Sequence, residues 1–388
     1  MNSNESILIF GGGSLQLSII RCCKLKGLYT VVIDPNSEAL GKTEADAFEV
    51  VAGDDFDGTV AVCKRYDIKG IVTAATDKPL VMMARVAKEL NYVFFNVDAA
   101  KTSTDKLLMK NKFINGGIPY ASGIEIFSPK DCTLSFPVIV KPRDNSGSRG
   151  VVLCNSIGEL ETAYNESKKF TNKPTLLIEE FIDGKEYSIE SLHYDGKTRV
   201  VQYTEKFVTP FPYNVELGHT QPADLSNEVK NCIDKLIYKI AIVMGFENCP
   251  SHTELKINDK GITVIETSPR LGGDMITSLL VPLSTGINME SALIDIAMGK
   301  VPHLPNALDN TSAIRYFSLP IGKIVSIGDI RIVNRLPNVV DFNFNLNEGD
   351  YVPRITNSLD RYGYVVVDDL TILPNVYNIV ELNIIIEQ

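Results

Sequence analysis

Apolar runs alternate with amphipathic stretches along the first hundred residues: ILIF at 7–10, YTVVID at 29–34, AFEVV at 47–51, GIVTA at 70–74 and YVFF at 92–95. Between them, helix-spaced apolar positions run over 15–26, 58–66 and 79–90. This alternation predicts a parallel sheet with helices on both faces, a doubly wound, Rossmann-like α/β domain over 1–100. A charged helical stretch, TSTDKLLMKNKFIN, then stops at Gly116-Gly117 and opens a new unit. In that unit FPVIVKP (136–142) and VVLC (151–154) read as antiparallel strands joined by the turn DNSGSRGV. A helix over 157–167 and the run TLLIEEFI (175–182) complete a small α+β lid spanning 101–185.

Residues 186–300 are expected to form a central domain. It would hold the strands EYSIESLHY and TRVVQYT, an irregular Pro-bearing stretch FVTPFPYNVELGHTQPADL, and a helix over 227–244 with Ser226 as its N-cap. A hairpin then joins SHTELKIN to GITVIETS through Asp259-Lys260-Gly261. The remainder, 301–388, is rich in β-branched residues and reads as a β-rich appendage without a catalytic motif. No internal repeat or low-complexity tract interrupts the chain.

Composition narrows the class. At 388 residues with 44% hydrophobic and 22% charged positions, the chain suits a folded protein of two or three domains and excludes a disordered one. The 38 Lys and Arg against 48 Asp and Glu leave a net charge of −10, which opposes binding to nucleic acid or anionic membrane and favours small-molecule partners. Without an eighteen-residue apolar run or a signal-like N-terminus, the expectation is a cytoplasmic protein. The seven cysteines form no Cys-x-x-Cys pair and read as reduced thiols, and the four scattered histidines argue against structural zinc.

Candidate chemistry begins at Gly11-Gly12-Gly13, which follows the first strand with Asp34 closing the second, as in dinucleotide sites. Gln16 stands at the third-glycine position, where close packing wants a small residue, so the turn reads better as a tight strand-to-helix connection. Gly147 and Gly150, with Ser146 and Ser148, make a loop whose amides can approach an anion, although such a turn also serves as a plain hairpin connection. Lys141 precedes it at a strand end, placed to meet phosphate oxygens as a point charge. Glu254 and Glu266 fall nearly opposite each other on one face of the predicted hairpin. Two like charges there are costly without a cation between them, and hard oxygen ligands beside a phosphate loop suit magnesium. Arg270, just off the strand end, is placed to stabilise developing negative charge, and Gly272-Gly273 would let a substrate carboxylate reach backbone amides. The stretch 206–222, with Phe211, Tyr213, Glu216 and His219, is expected to shape a substrate pocket. His252, on the face of Glu254, either orients substrate or packs as an ordinary histidine.

In order and spacing, these features resemble the ATP-grasp superfamily over 1 to about 300, nearest to the carboxylate-amine ligase branch that includes the L-amino acid ligases. The run is VIVKP, the Gly/Ser loop, Glu-x-Phe-Ile followed by Gly-x-Glu, then HTELK and IETSPRLGGD. The resemblance implies an ATP-grasp fold, with Lys106 and Lys141 touching ATP phosphates and the 146–150 loop closing over them. It implies a hinge at Glu179, Glu180, Phe181 and Ile182 that reads adenine through backbone groups, with Glu186 on the ribose. Glu254 and Glu266 would hold magnesium, with manganese able to substitute, and Arg270 would face the transferred phosphoryl group. Ser268 stands where Asn is common and would be a weaker metal ligand; Glu180 stands where Lys is common and leaves adenine contacts there to the backbone.

The implied reaction is ADP-forming: a carboxylate is activated as an acyl phosphate and joined to an amine or amino acid. Carboxylating, formyl-transferring and carbamoyl-phosphate-type variants remain open, as does a nucleotide sensor without turnover. A homodimer is compatible with the sequence.

Overall fold

Four parallel strands open the chain: β1 (Ser6–Phe10), β2 (Tyr29–Asp34), β3 (Ala47–Val50) and β4 (Ile68–Val72), in the order β3-β2-β1-β4. The computed structural model describes residues 5–387. Ile7, Leu8, Ile9, Val31, Val32, Ile71 and Val72 are wholly buried because helices cover both faces of this sheet, which is why its strands read as unbroken apolar runs. The run at 92–95 is not a strand; Phe95 instead packs into the core beside the helix Leu80–Leu90. The glycine turn is closed by its own neighbours. Asp34 accepts from the Gly12 amide at 2.8 Å and from the Asn36 amide at 2.8 Å, and Gln16 is buried against Gly11 and Gly13 while donating to the Ala74 carbonyl at 2.7 Å. Both carboxylate oxygens of Asp34 are thus engaged within the turn.

The helical stretch near 102–115 is two helices, Val97–Ser103 and Lys106–Gly116. Asp105 caps the second by accepting from the amides of Leu107 and Leu108, and Gly117, at φ +61°, ends it. The lid follows as an antiparallel sheet of β5 (Gly123–Ile126), β6 (Val138–Lys141), β7 (Val152–Cys154) and β8 (Leu176–Glu180), ordered β5-β8-β6-β7, over a small core of its own.

The central sheet is the largest. Its strands β9 (Lys185–Tyr194), β10 (Lys197–Val208), β11 (Glu216–Gln221), β12 (Cys249–Asn258) and β13 (Gly261–Ser268) are joined by β14 (Ser312–Tyr316), β16 (Val339–Phe344) and β18 (Gly363–Val367). The order is β13-β12-β9-β10-β11-β14-β18-β16, so part of the stretch expected to be irregular is a strand deep in the sheet. The segment after Val301 is likewise no appendage, since three of its strands extend this sheet. Its others, β15 (Gly322–Ile327), β17 (Tyr351–Val352) and β19 (Ile384–Glu387), form a small sheet ordered β17-β15-β19. The helix Asn227–Met244, capped by Ser226 as expected, covers one face of the central sheet. All seven cysteines are free thiols. Among the described residues no single helix is long and apolar enough to cross a membrane.

Candidate active site

Side-chain alternation gives the central sheet one charged face. On β9, Glu186, Ser188 and Glu190 share a face, and across the ladder they meet Lys256, Glu254 and His252 of β12. On the next strand Glu266 lies directly opposite Glu254, as the hairpin spacing predicts, with a bulge just after Glu254. The lysines of the lid and of the Lys106–Gly116 helix look onto this face.

Lys141, at the end of β6, and Lys110, one turn after Lys106, both reach Glu179 Oε1, at 2.7 and 2.8 Å, and all three groups are buried. Burial opposes ionisation of Glu179, but Lys141 and Lys110 together hold its carboxyl below the ordinary range. Two lysines thus share one buried carboxylate; burial lowers the Lys110 pKa, and its ammonium also donates to the Ala121 carbonyl at 2.5 Å. Removing one partner of such a buried pair costs about 3–5 kcal/mol, so this is a rigid arrangement. Gly123 makes room for it, because a Cβ there would come within 2.8 Å of the Ile178 carbonyl and 3.0 Å of Glu179 Cγ.

Lys106 is placed by the Asp105 cap at the first position of its helix. Its ammonium lies 3.1 Å from Glu266 Oε2 and donates to the Asn145 carbonyl at 2.6 Å. Burial disfavours its charge, yet Glu266, Asp77 and Glu179 keep it above the usual lysine range. The loop after Lys141 needs left-handed backbone at Gly147 (φ +69°), Ser148 (φ +55°) and Gly150 (φ +75°). At Gly150 a side chain would also strike Phe170 and Pro142. Ser146 lies in the wall of the neighbouring cavity, and Ser148 Oγ donates to Glu216 at 3.4 Å.

At the other end of the lid, the Glu180 amide donates to the Ser122 carbonyl at 2.8 Å and the Glu180 carboxylate accepts from the Ser122 amide at 2.7 Å. The hinge is thereby tied to the lid. Phe181 meets Phe211 edge-on at 5.1 Å, and the Lys256 ammonium lies over both rings. Glu186 accepts from Asn214 at 2.7 Å and pairs with Lys256 at 3.2 Å. Among the described residues the Ile182 amide makes no backbone hydrogen bond.

Glu254 and Glu266 do not face each other bare. Lys206 lies 2.9 Å from Glu254 and 3.2 Å from Glu216, so each hairpin carboxylate already has a lysine. Lys206 is held well above the ordinary range: burial opposes its charge, and Glu254 and Glu216 overcome that. His252 is not free to reach a substrate. It is buried, with Nδ1 2.7 Å from Glu190 and Nε2 3.3 Å from Glu254. Burial alone would lower its pKa, but Glu190 and Glu254 raise it to about 9. Gly272 lies over this pair, where a Cβ would come within 2.9 Å of both Glu190 Oε2 and His252 Nδ1; beside Gly273 the space is open.

Ser268, expected as a metal ligand, gives its hydroxyl proton to Asp77 at 2.5 Å, and Arg270 Nε donates to the same Asp77 oxygen at 2.8 Å. With that proton committed to Asp77, only the lone pairs of the Ser268 hydroxyl remain for a cation. Burial works against the Asp77 charge, but Arg270 and Ser268 keep its carboxyl below the usual range. Among the described residues the terminal nitrogens of Arg270 make one bond, from Nη1 to the Leu271 carbonyl at 3.0 Å, and Nη2 makes none. Glu216 and His219 lie on β11, four strands away from Ser268 on β13. His219 is buried with Nε2 3.3 Å from Asp274, which also takes two bonds from Arg361, at 2.6 and 2.7 Å. The loop 269–274 therefore crosses the charged face from β13 to β11 and is pinned at both ends.

A cavity of about 430 Å³ opens at the Asp77 end, with Asp77, Lys106, Ser146, Arg149, Glu266 and Ser268 in its wall. None of the 206–222 residues lines it. Phe211 and Asn214 of that stretch serve the hinge pocket instead, so the expected substrate stretch is divided between two places.

Among the described residues no three His, Cys, Asp or Glu side chains gather into a metal cage. Two opposed carboxylates are nonetheless a donor set that fits magnesium, which takes one or two carboxylates and completes its shell from phosphates and water. Sequence reading missed Asp77, Lys110, Glu190, Lys206, Asp274 and Arg361. Asp77 had a signal, since it follows the carboxyl end of a parallel strand, where such sheets bind ligands. Glu190 had one in the alternation along β9. Arg361, 87 residues beyond Asp274, had none.

Residues 134–278 match the ATP-grasp domain, and residues 315–371 match the L-amino acid ligase C-terminal domain 2. The chain is 27% identical to an alanine–anticapsin ligase of Bacillus amyloliquefaciens over 64% of this chain and 58% of that protein. It is 25% identical to an L-arginine-specific L-amino acid ligase of Bacillus subtilis over 66% of this chain and 64% of that one. It thus spans about three fifths of the length of these relatives. An L-amino acid ligase from Bacillus licheniformis superposes with a TM-score of 0.82 over 100% of both chains at 19% identity, a likeness of fold. The chain carries an ATP-grasp domain in an ATP-grasp fold, followed by an L-amino acid ligase C-terminal domain.

Proposed function

We propose that this protein is an ATP- and magnesium-dependent ligase that activates a carboxylate as an acyl phosphate and joins it to an amine, releasing ADP and phosphate. The observation that carries the reading is the pairing of Glu254 with Glu266 on the central sheet, with the Lys106 ammonium on Glu266 and Asp77, bound by Arg270, in the wall of one open cavity that Lys106, Glu266 and Asp77 share.

A carboxylate is a poor acyl donor because its leaving group would be oxide. Attack of its oxygen on the ATP γ-phosphorus breaks the bond to the β-phosphate bridging oxygen and gives ADP and an acyl phosphate. The amine nitrogen then attacks the acyl carbon, phosphate leaves, and the nitrogen gives up its proton. This chemistry needs positioning and cations, with no protein nucleophile. Lys141, held by Glu179, and Lys106, at its helix start, meet the phosphates; the 146–150 loop covers them. The backbone of the 179–182 hinge reads the base edge, and Glu186 takes ribose hydroxyls. Magnesium held by Glu254 and Glu266 would neutralise phosphate charge during transfer. Arg270, gripped by Asp77 through Nε, presents Nη2 to the phosphoryl group as its charge develops. The 430 Å³ cavity beside it seats the carboxylate donor.

The test is ADP release from the full chain with a panel of carboxylates and amino acids, with and without bicarbonate or formate. The expected result is magnesium-dependent release that requires both a carboxylate and an amine. Release driven by bicarbonate or formate alone would move the assignment to a carboxylating or formyl-transferring reaction, and no release with any pair would end it.

A further inference from the structure

The segment after Val301 reaches the loop 269–274 through Arg361. Arg361, just before β18, reaches Asp274 with both terminal nitrogens, donates through Nε to the Ser358 carbonyl at 3.0 Å and through Nη1 to the Glu216 carbonyl at 3.3 Å, and lies 3.8 Å from the centroid of the Tyr316 ring. Nearly every donor is used and one face is stacked, so this guanidinium cannot turn toward a ligand. What it fixes is Asp274. That residue sits in left-handed backbone at φ +50°, followed by Met275 at φ +59°, a conformation non-glycine residues hold only when their surroundings impose it. Arg361 and His219 are that imposition.

The exposures run in a telling order. The side chain of His219 is 1% exposed and that of Arg361 10%, whereas that of Asp274 is 26% exposed. The anchors are inside and Asp274 is the most exposed of the three. Its Oδ1 accepts one bond from Arg361 and keeps acceptor capacity, and a side chain on the preceding Gly273 would meet nothing within 4 Å. A carboxylate kept ionised, rigid and partly open, four residues after the arginine proposed to face the phosphoryl group, is built to receive a cation. At the scale of the cleft that cation is an ammonium group.

Resting on the ligase reading above, we propose that Asp274 receives the ammonium group of an amino-acid reactant and that Arg361 is its positioning residue. The C-terminal segment thereby completes the substrate site. The loop 269–274 becomes a platform clamped by Asp77 at the phosphoryl end and by Arg361 at the ammonium end.

Asp274→Asn keeps size and loses charge; Arg361→Lys keeps charge and loses the bidentate fork. In ADP-release assays Asp274→Asn is expected to raise the KM for the amino acid by about tenfold or more while the KM for ATP stays within about twofold, as for loss of a charge-assisted contact. Arg361→Lys should shift the same constant by less. An unchanged amino-acid KM in Asp274→Asn, with only a lowered Tm, would make the pair a structural ion pair and overturn the proposal. A second measurement stands apart from turnover: the Tm of the full chain with MgADP and L-alanine, L-serine or L-arginine, against propionate, which lacks the ammonium. The amino acids should stabilise the wild type, propionate should not, and Asp274→Asn should abolish the difference. If no pair supports ADP release while this pattern holds, the ligase reading fails and the ammonium site survives. Equal shifts in wild type and Asp274→Asn, or no shift with any amino acid, overturn the site itself.

Discussion

On the cleft face of the β9–β12 ladder, His252 lies between the carboxylates of Glu190 and Glu254; on the opposite face, a few residues along, His193 lies between the hydroxyls of Thr198 and Ser251 at 3.0 and 2.8 Å. Both rings are buried. Burial lowers His193 to about 4, with nothing charged to oppose it, while the carboxylates carry His252 to about 9. The difference lies in the partners, since desolvation pushes both rings the same way. The core face behind His193 is completed by hydroxyl pairs such as Thr253 and Thr267 at 2.7 Å and by the Asn227–Met244 helix, and the hydrogen bonds of the His193 ring itself go to neutral hydroxyls. The cleft face is a mesh of ions with its lysines and carboxylates in near balance. Such a surface is costly to desolvate for stability alone.

The largest expected effect separates the faces by function. Glu266→Gln removes one charge from the proposed metal shell with little change of shape, and ADP release should fall by orders of magnitude, about 10²-fold or more, for loss of an electrostatic contact at the reacting centre. The stability gain expected from relieving repulsion between two bare carboxylates is not anticipated, because Lys106 and Lys206 already offset them. A small loss in Tm is expected instead. By contrast, His193→Gln on the neutral face should leave turnover within about twofold, as for a conservative change outside the site. ADP release against magnesium concentration for the three proteins checks both, and wild-type turnover in Glu266→Gln would remove the metal assignment.

The next effect belongs to the neutral face. An unfolded histidine titrates near 6.5, and His193 folded titrates at about 4. Above pH 6.5 both states are neutral and the contribution to stability is fully present. As pH falls below 6.5 the unfolded chain takes up the proton first, so stability drops until about pH 4 and then levels. A shift of this size corresponds to about 3 kcal/mol in all, of which about 1–1.5 kcal/mol would be lost between pH 7 and 5.5. Urea unfolding of wild type and His193→Gln at those two pH values isolates it: the variant should lack that part of the loss. Equal losses in the two proteins would mean that the ring is not neutral in the fold.

Much of this architecture was legible in the sequence, and the division follows physical range. Local patterns carried the first four strands, the Ser226 cap and the register that sets Glu254 against Glu266, because periodicity and turn geometry determine them within a dozen residues. The Lys106 start was half visible: the charged stretch was plain, but the Asp105 cap that splits it into two helices was read as part of one. The strand at Glu216–Gln221 was hidden because its Gly, His and Gln suit a loop, and pairing with β10 and β14 overrides that preference. Ion partners across the chain were not legible. Arg270 and Ser268 meet Asp77 from the other end of the molecule, and Asp274 meets Arg361, and no spacing rule connects them. The 92–95 run failed for the opposite reason: four apolar residues satisfy a strand pattern, but here they pack without a neighbouring strand.

The smallest effect tests whether the cleft side alone responds to nucleotide. Loop 144–151 is rich in Gly and Ser and is held by polar ties, among them Lys106 to the Asn145 carbonyl, Arg149 Nε to the Ser146 carbonyl at 3.0 Å, Ser148 Oγ to Glu216 at 3.4 Å, Ser167 Oγ to the Gly150 carbonyl at 2.7 Å and Ser358 Oγ to the Gly147 carbonyl at 3.1 Å. Polar ties of this kind contribute about 0.5–1.5 kcal/mol each, so the loop should open more readily than the sheet beneath it. Trypsin is then expected to cut after Arg149 slowly in the free protein and several-fold more slowly with a magnesium complex of a non-hydrolysable ATP analogue. Ser358→Ala removes one tie and should speed the cut in the free protein by about two- to fivefold, the kinetic counterpart of losing about 0.5–1 kcal/mol, while leaving the nucleotide-bound rate nearly unchanged. Amide exchange at β9 and β12 positions facing the Asn227–Met244 helix should not move with the analogue at all. Cleavage after Arg149 at the same rate with and without the analogue would separate the loop from the phosphate site, and analogue-dependent protection on the helix-facing side would erase the distinction between the two faces.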